Sequence, residues 1–382
     1  MTGRFESHPE YDLWWALSDK AGLRTMRIVK AAGGSERLFL MERDELLGLE
    51  GVSDKIAEYI IYRRKAWDHG AASDRLIKRG IRFLPFTDPA YPKRLLMTNN
   101  HPFALFVKGD LPREDRPAVA VIGSRECSEY GRACAAYFAA GLAECGVDVL
   151  SGMAIGIDGI AQQSALQSGG SSYAVLGCGP DLCYPRANEK LYRMLCEHGG
   201  LLSEYGPGVA AQAWHFPARN RILAGLSDIV LVIEAREKSG TLITVDMALD
   251  AGRDVMIVPG RITDPMSVGI IRLWHAGATP ASCVEDVLNV LSGKGFSLTE
   301  NGETHPGRMD DENKLPLESD EDLVYSCLDL YARSAEEVME RTKLPARELL
   351  RIMTQLDLKG LIRETGKGYY IRTILIPEGG NG

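Results

Sequence analysis

The residues of this sequence best suited to chemistry are cations set beside glycine-rich turns. Four stretches combine them: VIGSRECSEYG, LSGMAIGIDGIAQQSAL, LGCGPDLCYPRAN and REKSGTLIT. In the first, Gly123 permits a tight turn, Ser124 offers a hydroxyl, and Arg125 presents a planar fork of donors suited to phosphate. The second holds Ser151, Gly152, Met153, Ala154 and Gly156. Its small residues allow close backbone approach, and the helix beginning there offers unpaired N–H groups to an anion. The third carries Gly177, Gly179, Asp181, Arg186 and Asn188, and the fourth sets Lys238, Ser239, Gly240 and Thr241 before another helix. A fifth cluster, FPARNRILAGLSD, places Phe216, Arg219, Asn220 and Arg221 at a helix start. A salt-bridged structural turn and a phosphate site both explain that cluster. Each stretch alone is an ordinary strand-to-helix turn. Together they offer a row of phosphate positions, which is the shape of a polynucleotide backbone.

Other chemistries lack their signatures. There is no GxxxxGK[ST] loop, no GxGxxG fingerprint, no GxSxG elbow and no HExxH pair, so neither a metal nor a cofactor is expected. His215 is the one histidine near these loops, and packing explains it better than general-base work. Asp158 and Glu204 are the candidate acids. A helix-start role accounts for Asp158 without catalysis, and Glu204 is placed to hold Arg219 or Arg221. For Trp214 and Phe216, stacking on bases competes with core packing, which their apolar neighbourhood favours.

The elements that must position these loops follow from periodicity. From Val119, near-continuous apolar runs (VAVIG, VDVLSG, SSYAVLG, LLSEY, SDIVLVIEA, DVMIVPG) alternate with helical stretches. That pattern predicts an α/β fold, a Rossmann-like parallel sheet with helices on both faces. The loops then fall at the carboxyl ends of the strands, where such sheets bind ligands. Residues 1–80 read as a helical domain. Its Leu-Glu-Gly-Val turn, with Ser53 as N-cap of the next helix, has the look of a helix-hairpin-helix unit. The Rossmann-like domain with its lead-in takes 81–292, an acidic linker 293–319, a winged-helix domain 320–373 and a tail 374–382.

The net charge of -8 argues only weakly against nucleic acid, because eight acidic and two basic residues fall between Asn301 and Asp322. The eight cysteines form no CxxC pair and read as reduced. With no apolar run near 20 residues and no leader pattern, a cytoplasmic protein without membrane contact is expected.

Taken in order, YPKRLLMTNNHPFALFVKGDL, VIGSRECSEYG, SGMAIGIDGIAQQSAL, LGCGPDLCYPRAN, LLSEYGPG, FPARNRILAGLSDIVLVIEAREKSGTLIT and GRDVMIVPG make a chain that strongly resembles the DprA/Smf family of bacterial DNA-processing proteins. The resemblance implies a non-enzymatic protein that binds single-stranded DNA on an extended Rossmann domain. It also implies loading of the recombinase RecA, displacement of single-strand binding protein, and homodimers, usually in natural transformation and recombination. By motif position, Arg125, Arg186 and Lys238 should line the DNA groove, with Arg219 and Arg221 at its rim. Two departures stand out: Gln162 replaces a usual His, and Gly269-Ile270-Ile271 replaces a polar turn. The apolar stretch Ile270 to Trp274 is a candidate dimer contact. The competing reading is a nucleotide-binding phosphoribohydrolase-like enzyme. That class needs a glutamate where this chain has Thr244.

Overall fold

The computed structural model describes residues 9–18, 23–296, 319–329, 332–366 and 368–373. Six helices come first: α1 (Pro9–Ala16), α2 (Leu23–Ala32), α3 (Ser35–Leu40), α4 (Arg43–Leu47), α5 (Asp54–Lys65) and α6 (His69–Lys78). Trp14 and Trp15 sit at the centre of their core, almost without solvent contact. Gly51, at φ +83°, makes the turn between α4 and α5. Ser53 stands at the N-cap position, but its hydroxyl makes no capping bond. The reciprocal side-chain capping lies one helix earlier, between Glu42 and Glu45.

The strands are β1 (Arg82–Pro85), β2 (Ala104–Gly109), β3 (Ala118–Ile122), β4 (Asp148–Ser151), β5 (Ser172–Val175), β6 (Gly199–Ser203), β7 (Ile229–Val232), β8 (Asp254–Ile257) and β9 (Thr279–Pro280). They form one sheet in the order β1-β2-β6-β5-β4-β3-β7-β8-β9. From β6 to β9 every pairing is parallel, as the apolar runs require. The lead-in segment adds an antiparallel edge through β1 and β2. Phe103, Ala104 and Phe106 of that edge join the tryptophan core, so the N-terminal helices cover it.

The helices between strands are α7 (Lys93–Leu96), α8 (Glu129–Glu144), α9 (Ile157–Gln167), α10 (Glu189–His198), α11 (His215–Leu226), α12 (Gly240–Asp250), α13 (Val268–His275) and α14 (Val284–Gly293). Alternate strand residues point to opposite faces. Ala118, Ala120, Ile122, Val230 and Val232 meet Ile222 and Leu223 of α11, Val245 of α12 and Ile270 of α13. Val119, Val121, Ile229 and Leu231 meet Phe138 and Leu142 of α8, Ala161 of α9 and Val287 of α14. Five alanines of α8 are buried, and they let α8 and α9 lie close together. Gly269-Ile270-Ile271 is not a loop but the start of α13: Gly269 N–H donates to Ala235 O at 2.8 Å, and Ile270 enters the core.

The last module holds α15 (Ser319–Cys327), α16 (Ala335–Thr342) and α17 (Ala346–Leu358), with β10 (Arg333–Ser334), β11 (Ile362–Gly366) and β12 (Tyr369–Arg372) paired in the order β10-β12-β11. Three helices and a strand pair are the winged helix the sequence predicts. The acidic linker lies almost wholly, and the tail wholly, outside the described residues. No helix among the described residues is long and apolar enough to cross a membrane.

Asp148, at the start of β4, carries a measurable cost. Its side chain is 1 % exposed, bonded to Arg113 N–H at 3.1 Å and 3.9 Å from Arg116. Burial pushes the carboxyl up to about 6, against which these donors and Arg94 pull only partly. A carboxyl raised above its unfolded value favours the fold below that unfolded value, and the contribution is lost as pH rises through the folded one. Asp148→Asn is therefore expected to gain stability relative to the parent between pH 4 and pH 8, by about 1–3 kcal/mol. Paired thermal melts at the two pH values check it.

Candidate nucleic-acid interface

The topology reverses between β3 and β7: β3 leads outward through β4 to β6, and the chain then crosses back to β7 on the other side. In open α/β sheets the crevice beyond such a switch point is where ligands bind. A cleft of about 630 Å³ opens there, lined by loop residues after β3, β4 and β7 and by α11. Gly123, Ser124, Arg125, Ala154, Phe216, Arg219, Asn220, Lys238, Ser239, Gly240 and Thr241, all singled out from sequence, line it together.

Two close approaches shape the cleft. Gly156 has φ +86°, and a Cβ there would collide with the carbonyls of Ser124 and Arg125. Ile157 N–H donates to Ser124 O at 3.2 Å, so the loops after β3 and β4 lie against each other. Gly152 leaves no space either, because the Arg219 guanidinium fills the place of its side chain. Behind the β3 loop, Glu234 receives Ser128 N–H at 3.0 Å and the Ser128 hydroxyl, and fixes the start of α8 to the end of β7.

The cationic cluster divides into three. Arg125 and Lys238 are exposed, with no ion pair to any described residue. The Arg125 guanidinium lies 5.5 Å from the Phe216 ring centroid, and Phe216 lies 5.5 Å from Tyr184 with the planes at 30°. Arg219, by contrast, is 5 % exposed. It donates to Gly152 O at 3.1 Å, to Val175 O, and to Asn220 Oδ1 at 2.9 Å. It is the floor of the cleft, not its rim. Arg221 points away altogether, into a pair with Glu204 at 2.5 Å in which both side chains are under a tenth exposed. The expectation of a phosphate-facing Arg221 is corrected. One turn of α11 carries the two arginines inward to different neighbours.

Several other sequence-predicted residues are scaffold too. Ser151 donates its hydroxyl to Val121 O at 2.7 Å and is fully buried. Met153 is also buried, at φ 52°. Asn188 donates to the carbonyls of Met153 and Ala154, at 3.0 and 3.1 Å. Gln162, without solvent contact, accepts from Met153 N–H at 2.9 Å, so it holds the loop and reaches no ligand. Gly177 packs under Phe216 and His215. Arg186 is exposed but lies outside the cleft lining.

The acids are accounted for by structure. Asp158 accepts from Gly152 N–H at 3.1 Å; burial pushes its carboxyl up, and Arg219 pulls it back. Burial likewise raises Glu204, against the pull of Arg221. His215 stacks on Tyr205 with centroids 3.8 Å apart, and its Nδ1 lies 2.8 Å from Gly177 O. Burial lowers its pKa against the opposing bond to Gly177, and the stacking marks it as a packing residue. Thr244 lines the cleft where the competing enzyme class needs its glutamate. Core packing is corrected for Trp214, while Phe216 is half-buried against Gly177 and also lines the cleft. Trp214 is 56 % exposed, since α11 begins one residue later and turns His215 inward instead. Sequence reasoning did not single out Tyr184, Glu126 or Arg236, which also line the cleft. The available signal was that all three lie inside the quoted stretches: Glu126 in VIGSRECSEYG, Tyr184 in LGCGPDLCYPRAN and Arg236 at the head of REKSGTLIT. No group of three or more metal-ligating side chains occurs among the described residues.

The fold and cleft define a class: a Rossmann-type α/β protein with a cationic switch-point crevice and an appended winged helix. Residues 82–292 match the family model of DNA recombination-mediator protein A, and residues 310–367 match that of the DprA winged helix domain. The chain is 38 % identical to Protein Smf of Escherichia coli over 75 % of its own length and 76 % of that protein. It is 44 % identical to DNA processing protein DprA of Streptococcus pneumoniae over 53 % of its length and 71 % of the other. The X-ray structure of the pneumococcal protein superposes with a TM-score of 0.65 at 34 % identity, covering 74 % of this chain and 98 % of that one. A Helicobacter pylori DNA processing protein A, whose structure describes a single-stranded DNA binding mode, gives 0.51 at 28 % identity over 57 % and 97 %. The chain belongs to the DprA/Smf family of DNA-processing proteins.

Proposed function

We propose that the switch-point cleft binds the backbone of single-stranded DNA, and that the protein, as a cytoplasmic homodimer, loads RecA onto that strand in place of single-strand binding protein. The setting is recombination and, in transformable bacteria, DNA uptake. One observation carries the reading. Arg125 and Lys238 stand exposed, with no ion pair among the described residues, on neighbouring loops beside the start of α12 and the Tyr184–Phe216 pair. Cations and helix N–H groups take phosphates, and an aromatic face takes an unstacked base of any identity. The Helicobacter pylori relative's single-stranded DNA binding mode supports the same use. For the dimer, α13 offers exposed Val268 and Trp274 beside its buried Ile270.

Labelled oligo-dT is expected to bind in fluorescence anisotropy, with duplex DNA competing poorly. Its log affinity should fall with log salt by roughly 0.7 per neutralised phosphate. Absence of binding at moderate salt would sink the proposal. RecA loading has its own readout, the RecA ATPase on strands precoated with single-strand binding protein, which is expected to start sooner when this protein is added.

A further inference from the structure

Two oppositely charged side chains face each other inside the same cleft. Glu126 comes from the loop after β3 and Arg236 from the loop after β7, the two strands that flank the switch point. Arg236 Nη2 lies 3.1 Å from Glu126 Oε2. We propose that Glu126 is a built-in competitor for phosphate: its carboxylate occupies an anion position at Arg236, and an entering strand displaces it and takes Arg236 as a further backbone contact.

The surroundings favour this over a structural staple. The Glu126 backbone is already fixed by Ser124, whose hydroxyl bonds to both its N–H and its carbonyl, at 3.2 and 3.1 Å. The side chain of Glu126 is 80 % exposed, and Arg236 is its one ion-pair partner among the described residues. Arg236 has a second anchor, with Nε 3.1 Å from Met266 Sδ, which holds its guanidinium at the cleft when the carboxylate leaves. Exposed ion pairs are weak, so a phosphate can open this one. The other carboxylate of the cleft, Asp158, is buried and bonded to Gly152 N–H, and it cannot be exchanged in this way.

The inference rests on the single-stranded DNA reading, and its test separates the two. Oligo-dT anisotropy over a salt series is measured for the parent, Glu126→Gln, Arg236→Ala and the double variant. Glu126→Gln is expected to bind about two- to fivefold tighter at low salt. Its salt slope should not become shallower, because Arg236 neutralises the same phosphate with or without the carboxylate. Arg236→Ala is expected to weaken binding and, in the double variant, to remove the gain. A Glu126→Gln affinity at or below that of a tightly binding parent overturns the proposal. So does a double variant that keeps the gain, which would then be a general charge effect. A parent that binds no single-stranded DNA takes down the reading of the cleft, and this inference with it. Melting curves of the variants are expected to match the parent, since neither side chain is buried.

Discussion

Arg125→Ala is expected to lower the affinity for single-stranded DNA by about ten- to a hundredfold at moderate salt, equally for all sequences. A hydrogen-bonded charged contact is worth about 1.5–3 kcal/mol, which sets that range. Arg125 is exposed, has no ion pair among described residues, and stands over Phe216, so the fold does not need it. The salt slope should become shallower by about 0.7 for the phosphate no longer neutralised. The melting temperature should not move. Anisotropy with oligo-dT and mixed-sequence strands checks each part. A loss confined to some sequences would mean that Arg125 reads bases, and an unchanged affinity would remove the cleft from DNA binding.

The second large effect is expected at a residue that touches no phosphate. Arg219→Ala should cost about 2–5 kcal/mol of stability, since a buried polar group left without its partner costs about 1–3 kcal/mol and two carbonyls lose this donor. It leaves Asp158 buried without its cation and the carbonyls of Gly152 and Val175 without their donor. DNA binding should fall as well, because the loop that starts at Gly152 loses its support on the floor of the cleft. Arg219→Lys should not rescue either property, since one ammonium cannot serve two carbonyls in the plane of the guanidinium. Denaturant unfolding and anisotropy on the same samples separate this variant from Arg125→Ala, which is expected to change binding alone. A stable Arg219→Ala that binds normally would refute the floor role.

Much of the architecture was legible beforehand. Strands covered on both faces must be apolar at nearly every position, and β3, β4, β5, β7 and β8 announce themselves that way. β1 and β2 did not. They pair antiparallel at an edge, and RFLP and ALFVKG carry no turn-helix punctuation to mark them as members of the same sheet. Gly269-Ile270-Ile271 stood where a polar turn is usual, and the apolar run from Ile270 to Trp274 read as a dimer-contact candidate. In the structure the helix takes in both, beginning at Val268, and Gly269 ties its start to Ala235.

By itself the sequence determined that these loops share one end of the sheet. In a parallel sheet every strand-to-helix turn lies at the same end, so period alone brings Gly123 to Arg125 and Lys238 to Thr241 to one edge; the pairing of β3 with β7 made them neighbours and left Arg186 outside the cleft. It also determined that the cluster would be cationic and glycine-rich, since residue type carries charge and backbone freedom directly. Which arginine faces solvent was decided only by the tertiary structure. Arg219 and Arg221 are two residues apart on one helix, about 200° around its axis, and nothing local distinguishes their fates. A distant glycine without a side chain made room for the first, and a glutamate at the end of β6 captured the second. Burial of a charge depends on partners far apart in the chain, and that information exists only once the sheet has brought them into contact.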